Sequence, residues 1–277
     1  MDFSWCELIR KIPDLSMTPN IKELNFRYCS NLVEVHDSVG CLDKLIVWVL
    51  CACTKLEILP SCLMMKSLKS LDLSLCSSLK KFPNISQEMK SLYQLLLFGT
   101  SISELPPSFG NLTGLANIIL GSYLVHLAVP DSIYKLPHIE SLTLWNDVMF
   151  PKDVVFDREP QCKLYDGFPN AFPRLDYLSF QSFQIRSEID FILNSCCPLT
   201  LETLHINSCN VVTLPKRISR FQRLHTLFTR YCNELREIPR LPQSIRRLDA
   251  SNCSSLNSSS SSKLLLQVSL LDRKSVV

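Results

Sequence analysis

Apolar residues recur along this chain at six fixed offsets, 0, 3, 5, 8, 11 and 14, and that recurrence restricts the fold more than any other feature. Ile21, Leu24, Phe26, Cys29, Leu32 and Val35 fill the six positions. So do Leu45, Trp48, Leu50, Cys53, Leu56 and Leu59, and then Leu68, Leu71, Leu73, Cys76, Leu79 and Phe82. Leu92, Leu95 and Leu97 lead to Thr100 and a register shortened by one, while Leu115, Ile118, Leu120 and Ile139, Leu142, Leu144 keep the first half. Starts at 21, 45, 68, 92, 115, 139, 175, 201, 224 and 245 give nine steps, of which seven lie between 21 and 24 residues. One L-x-x-L-x-L arises by chance in any amphipathic stretch; ten in near-constant register do not.

Positions 3 and 5 are two residues apart, so they share one face of a short strand, and positions 2, 4 and 6 share the other. One such unit cannot bury its apolar edge alone and must stack on its neighbours. The pattern L-x-x-L-x-L-x-x-(C/N/T)-x-x-L resembles the leucine-rich repeat. That resemblance implies an α/β solenoid, a horseshoe with a concave parallel sheet and one short strand per repeat. Proline follows the position-14 residue at Ile12-Pro13, Leu59-Pro60, Phe82-Pro83, Leu105-Pro106, Val129-Pro130, Leu214-Pro215 and Ile238-Pro239. It lacks an N–H, so it ends the paired segment and turns the chain onto the convex side, where short helical or 3-10 turns are expected. Pairs such as Phe109 and Leu112, or Ile218 and Phe221, give that return leg its own buried edge.

Position 8 is occupied by Cys29, Cys53, Cys76, Cys209, Cys232 and Cys253, with Cys6 in a partial first unit and Thr100 in the shortened one. A small inward residue where the chain leaves the strand can bond the backbone of the adjacent coil, so these are read as a structural ladder of buried thiols. The 13 cysteines are an odd number, and the N-terminus carries neither a basic region nor an apolar stretch of a secretory signal. Free thiols in a reducing compartment follow, the cytoplasm first and the nucleus second.

Other classes of function find little support. None of the 6 glycines belongs to a phosphate-cradling run. The five histidines are scattered without metal spacing, so neither catalytic residues, cofactor nor metal site is expected. The formal charge of +3 is unremarkable, and no stretch approaches the length of a membrane span. Basic residues do gather late, from Lys216 to Arg247, where a solvated face is the commoner cause and an acidic protein surface is favoured over nucleic acid. Four N-x-[ST] sequons, at Asn84, Asn111, Asn252 and Asn257, are read as chance.

The strings Cys-Ser-Ser-Leu-Lys-Lys-Phe-Pro (76 to 83), Gly-Thr-Ser-Ile-Ser-Glu-Leu-Pro-Pro-Ser-Phe-Gly-Asn-Leu (99 to 112) and Leu-Pro-Gln-Ser-Ile-Arg-Arg-Leu-Asp-Ala-Ser-Asn-Cys-Ser-Ser-Leu (241 to 256) narrow the resemblance. They look like the repeat region of plant intracellular nucleotide-binding leucine-rich repeat immune receptors. The class with an N-terminal TIR domain, the TMV resistance protein N-like type, is the nearest. The likeness runs over about residues 1 to 257, without the TIR and NB-ARC domains of that class. Met1 falls inside a repeat, with Phe3, Cys6, Ile9 and Ile12 at positions 5, 8, 11 and 14, so the chain reads as part of a larger receptor. A polar island is expected at 148–174, and a Ser-rich linker with a disordered tail at 258–277.

The resemblance implies a non-catalytic protein-interaction module of an innate immune receptor. It would recognise a pathogen effector or a guarded host protein and help to hold upstream domains inactive. The alternative is a repeat scaffold with a host partner and no immune role. In either case binding is expected on the concave face, which is unusually apolar at its middle. Tyr93, Leu96, Phe98, Ile119 and Trp145 would stand in solvent there, followed by His205, Phe228 and Arg230. The partner is a protein, an upstream NB-ARC domain included; no membrane or nucleic-acid partner is expected.

Overall fold

A computed structural model describes residues 1–122, 124–152 and 171–256. The chain forms two compact units, Met1–Ile139 with Asp147–Val154, and Glu140–Asn146 with Val155–Val277. In the first, five parallel strands follow one another: β1 (Glu23–Asn25), β2 (Val47–Val49), β3 (Ser70–Asp72), β4 (Gln94–Thr100) and β5 (Asn117–Ser122). In the second, β6 (Ser141–Trp145), β7 (Tyr177–Gln181), β8 (Thr203–Asn207), β9 (Thr226–Phe228) and β10 (Arg247–Asp249) do the same. One strand per repeat, all parallel, is the leucine-rich repeat fold.

Register is strict because each repeat presents the same offset to the next. Leu24 pairs with Trp48, Trp48 with Leu71, Leu71 with Leu95 and Leu95 with Ile118. Leu142, Leu178, Leu204, Leu227 and Leu248 line up likewise in the second unit. Positions 0, 3, 5, 8 and 11 are buried in repeat after repeat; Leu68, Leu71, Leu73, Cys76 and Leu79 are each at most 1% exposed. Each buried leucine adds about 2 kcal/mol, and neighbouring repeats share the gain.

The strand exit is built from three residues. A position-4 Asp or Asn closes a small turn by accepting the position-6 N–H: Asp2 from Ser4, Asn25 from Arg27, Asp72 from Ser74 and Asp249 from Ser251, at 2.9 to 3.1 Å. Position 7 then enters the left-handed region: Trp5, Tyr28, Ala52, Leu75, Asn146, Ser182, Ser208, Tyr231 and Asn252 have φ between 53° and 66°. That turn swings position 8 inward. Cys29 Sγ donates to the Phe3 carbonyl at 3.0 Å, Cys53 to Phe26 at 3.1 Å, Cys76 to Leu50 at 3.1 Å and Cys232 to Ile206 at 3.1 Å. Cys209 reaches Phe180 at 3.7 Å and Cys253 reaches Thr229 at 2.6 Å. The described cysteines are free thiols.

Thr100 departs from this scheme. Its hydroxyl turns back to the Leu97 carbonyl of its own strand, and Ser122 Oγ donates to the Thr100 carbonyl at 2.6 Å. The ladder is irregular between Phe98 and Thr100, where Gly99, at φ 74°, is an extra residue opposite the Gly121–Ser122 step.

On the return leg, 3-10 turns cover Asp37–Cys41, Pro107–Asn111, Asp131–Lys135 and Lys216–Arg220, and one short helix, α1, spans Arg186–Phe191. Short paired segments recur beyond the main ladder, two of them ahead of the proline and one, after Pro60 and Pro83, beyond it. Lys11–Ile12 pair with Glu34–Val35, Cys62–Leu63 with Asn84–Ile85, and Leu127–Ala128 with Val148–Met149. Val148 and Met149, assigned to the island from the sequence, thus belong to a paired strand, and Phe172 at its far end is fully buried. The rest of the island, 153–170, and the tail from 257 onward lie outside the described residues. Among the described residues no helix is long and apolar enough to cross a membrane.

Candidate protein-binding face

Positions 2, 4 and 6 form the outward face of each ladder, because 3 and 5 are committed to the core. In the first unit the position-4 column runs Asn25, Val49, Asp72, Leu96, Ile119. Leu96 lies directly opposite Ile119, and Phe98 opposite Gly121. The sequence reading had Leu96, Phe98 and Ile119 standing in solvent; they are half-buried. Strands about 4.8 Å apart set each outward side chain against its neighbours, so a row of apolar groups shields itself. Tyr93, at the entrance to β4, is the member that stands out, 49% exposed. Cys51, assigned to this face, is buried, and that burial pushes its thiol above the ordinary range, with Asp72 adding to the effect and Arg27 opposing it.

The second unit carries a more organised arrangement. Trp145 ends β6 opposite Gln181 and is half-buried rather than free. Next along the position-4 column come Ser179, His205, Phe228 and Asp249. The His205 ring stacks on Phe228 with centroids 4.7 Å apart and planes 13° apart. Tyr177 meets it edge-on at 5.1 Å, and the tyrosine hydroxyl lies 3.1 Å from His205 Nδ1. Arg230 places its guanidinium 4.6 Å from the Phe228 centroid and holds the Asp249 carboxylate with Nε and Nη2, both at 2.7 Å. Tyr177, His205, Phe228, Arg230 and Asp249 therefore make one chain of contacts across β7 to β10.

Electrostatics fixes the protonation of its centre. Burial, and then the Arg230 charge, push the His205 imidazole below the ordinary histidine value, so the ring is neutral at pH 7. Among the described residues its Nε2 is covered and has no hydrogen-bond partner, at a cost of about 1–3 kcal/mol. Sequence reasoning named His205, Phe228 and Arg230 as binding residues and placed Asp249 on the outward face without a role, but did not single out Tyr177. Tyr177 sits at position 2, and only the strand register shows that it and Asp249 join the row.

The strand entrances carry charge. Backbone bonds stack the position-1 residues Glu140, Asp176, Glu202, His225 and Arg246 in one column. Burial, Glu202 and Glu140 raise the Asp176 carboxyl, which forms no ion pair among the described residues. Glu202 holds Arg223 at 3.2 Å and His225 at 3.4 Å. Arg246 and Arg247 are exposed and form no ion pair among the described residues. No cluster of His, Cys, Asp or Glu suited to a metal ion occurs among the described residues.

Comparison with known proteins adds to this geometry. A family profile described as "Disease resistance protein RPS4B-like, leucine-rich repeats" matches residues 64–273, about three quarters of the chain. TMV resistance protein N of Nicotiana glutinosa is 29% identical over 90% of this chain and 25% of its own length. Disease resistance protein RPS4B of Arabidopsis thaliana is 28% identical over 91% of this chain and 20% of its own length. Protein SUPPRESSOR OF npr1-1, CONSTITUTIVE 1, also from Arabidopsis thaliana, is 43% identical over 40% of this chain and 7% of its own length. The chain spans a quarter or less of the length of these relatives. Among solved structures, the leucine-rich repeat domain of the type III effector XCV3220 (XopL) matches with a TM-score of 0.47 at 18% identity, over 87% of this chain and 72% of that one.

Proposed function

This chain belongs to the RPS4B-like leucine-rich repeat family of disease resistance proteins, and from that premise we propose that it is the recognition module of a plant immune receptor. In this reading the outward faces bind a pathogen effector or a guarded host protein without chemistry of their own. Binding favours an open state of the receptor over a closed one in which the repeats restrain the domains before them. A ligand shifts such an equilibrium only by its difference in affinity for the two states. The cytoplasm, and after it the nucleus, is where free thiols and this role agree.

The observation that carries the reading is the row from Tyr177 to Asp249. A core needs none of these contacts, yet they hold an aromatic and charged surface in fixed geometry, and aromatic and arginine side chains dominate protein interfaces. The test is a chimera in which this chain replaces the matching repeats of TMV resistance protein N, scored by leaf cell death against a panel of pathogen proteins. The chimera should respond to a different set from its parent and lose that response on Phe228→Ala. An unaltered set of responses would sink the proposal.

A further inference from the structure

Unit two is electrically polarised along its own ladder. At one end Glu140 and Asp176 stand in adjacent repeats with no ion pair among the described residues, and beside burial and Glu202 their mutual repulsion raises the Asp176 carboxyl. At the other end Arg246 and Arg247 stand exposed and form no ion pair among the described residues. Between the poles Glu202 is paired with Arg223 and hydrogen-bonded to His225, and Asp249 is paired with Arg230. The aromatic contacts of Tyr177, His205 and Phe228 occupy that neutral middle.

We propose that this surface binds a protein segment of matching polarity, lying across the strands. Its carboxylates rest on Arg246 and Arg247, an aromatic or aliphatic side chain rests on the Tyr177–His205–Phe228 row, and its cations rest on Asp176 and Glu140. The inference rests on the recognition reading above and deepens it by naming the chemistry of the partner. Three strand spacings separate β7 from β10, roughly 14 Å, which is about ten residues of an α-helix. A helix with acids in its first turn and lysines in its last also suits its own dipole. A nucleic acid fits poorly, because phosphates laid along the whole row would meet the Glu140–Asp176 pole.

The probe is a labelled alanine-based helical peptide with two glutamates near its start, a central tyrosine and two lysines about ten residues after the glutamates. Its binding to the full chain is read by fluorescence anisotropy at low and at physiological salt. Peptides of the same length carrying only glutamates or only lysines, and a single-stranded oligonucleotide, are the comparisons. The polarised peptide should bind tightest, and Arg246→Glu with Arg247→Glu should weaken it by about tenfold or more. Adding Glu140→Lys and Asp176→Lys should restore binding, because the peptide can then lie end for end. Arg246→Gln with Arg247→Gln gives the same test without a reversed charge, and circular dichroism checks that each variant is folded. Absence of peptide binding, equal binding by the glutamate peptide or the oligonucleotide, or indifference to the arginine changes would each overturn the proposal. If these fail while the chimera still changes its responses, the polarity falls and the recognition module stands.

Discussion

Leu75 sits at φ 63°, where an L-residue pays for contact between Cβ and the following carbonyl, and eight other repeat exits do the same with side chains as different as Trp5, Ala52 and Asn252. Leu75→Gly removes about 1–2 kcal/mol of strain but adds chain entropy and loses half-buried surface, so stability should shift by less than about 1 kcal/mol. Leu75→Val, branched at Cβ, should lower it by about 1–2 kcal/mol, read from urea midpoints. This turn was illegible in the sequence, because its occupants share a backbone angle and no side-chain chemistry. Position 8 was legible for the opposite reason: a small thiol recurs there. Burial pushes the Cys53 thiol up to about 12 from an ordinary value of 9.0, and Cys76 also upward. The native state then keeps protons that the unfolded state releases. Stability should hold below pH 9 and fall on going toward pH 12, by at most about 1.4 kcal/mol per pH unit for each such thiol, as denaturation followed against pH would show. His205 has the opposite sign: its lowered value means the unfolded chain binds the proton first, so acid below about pH 6.5 destabilises the fold. Its imidazole signals in NMR should titrate below that value and move up in Arg230→Ala.

At the scale of the element, the strands were legible and the return legs much less so. Two buried and three outward residues per strand leave a period of two that survives in ten copies, whereas the paired segments at Lys11–Ile12 or Cys62–Leu63 are two residues long and carry no period at all. Close packing between neighbouring turns is equally hidden. A Cβ on Gly114 would collide with the Lys90 backbone. Gly114→Ala should therefore cost about 1–3 kcal/mol even though alanine is ordinarily the better residue for an ordered chain, and thermal unfolding would register it. An unchanged melting temperature would mean that the two turns separate more readily than their packing implies.

For the molecule as a whole, stability in a repeat array is nearly a sum over units and the contacts between adjacent ones. Leu73→Ala, in a fully buried site, should cost about 2–5 kcal/mol. Its effect should be local: hydrogen exchange should quicken in β2 to β4 well before β7 to β9 respond. The candidate face was legible only in part. Counting offsets named the outward positions, but the half-burial of Leu96, Phe98 and Trp145 and the joining of Tyr177 to His205 depend on which strands lie side by side. The alternation along each strand has one more consequence. Residues that hold the fold and residues that the proposed function assigns to a partner are almost disjoint sets, interleaved letter by letter. Selection for a new target can therefore rewrite one set while purifying selection preserves the other, and descendants of such a chain can diverge quickly in what they detect while remaining superimposable in form.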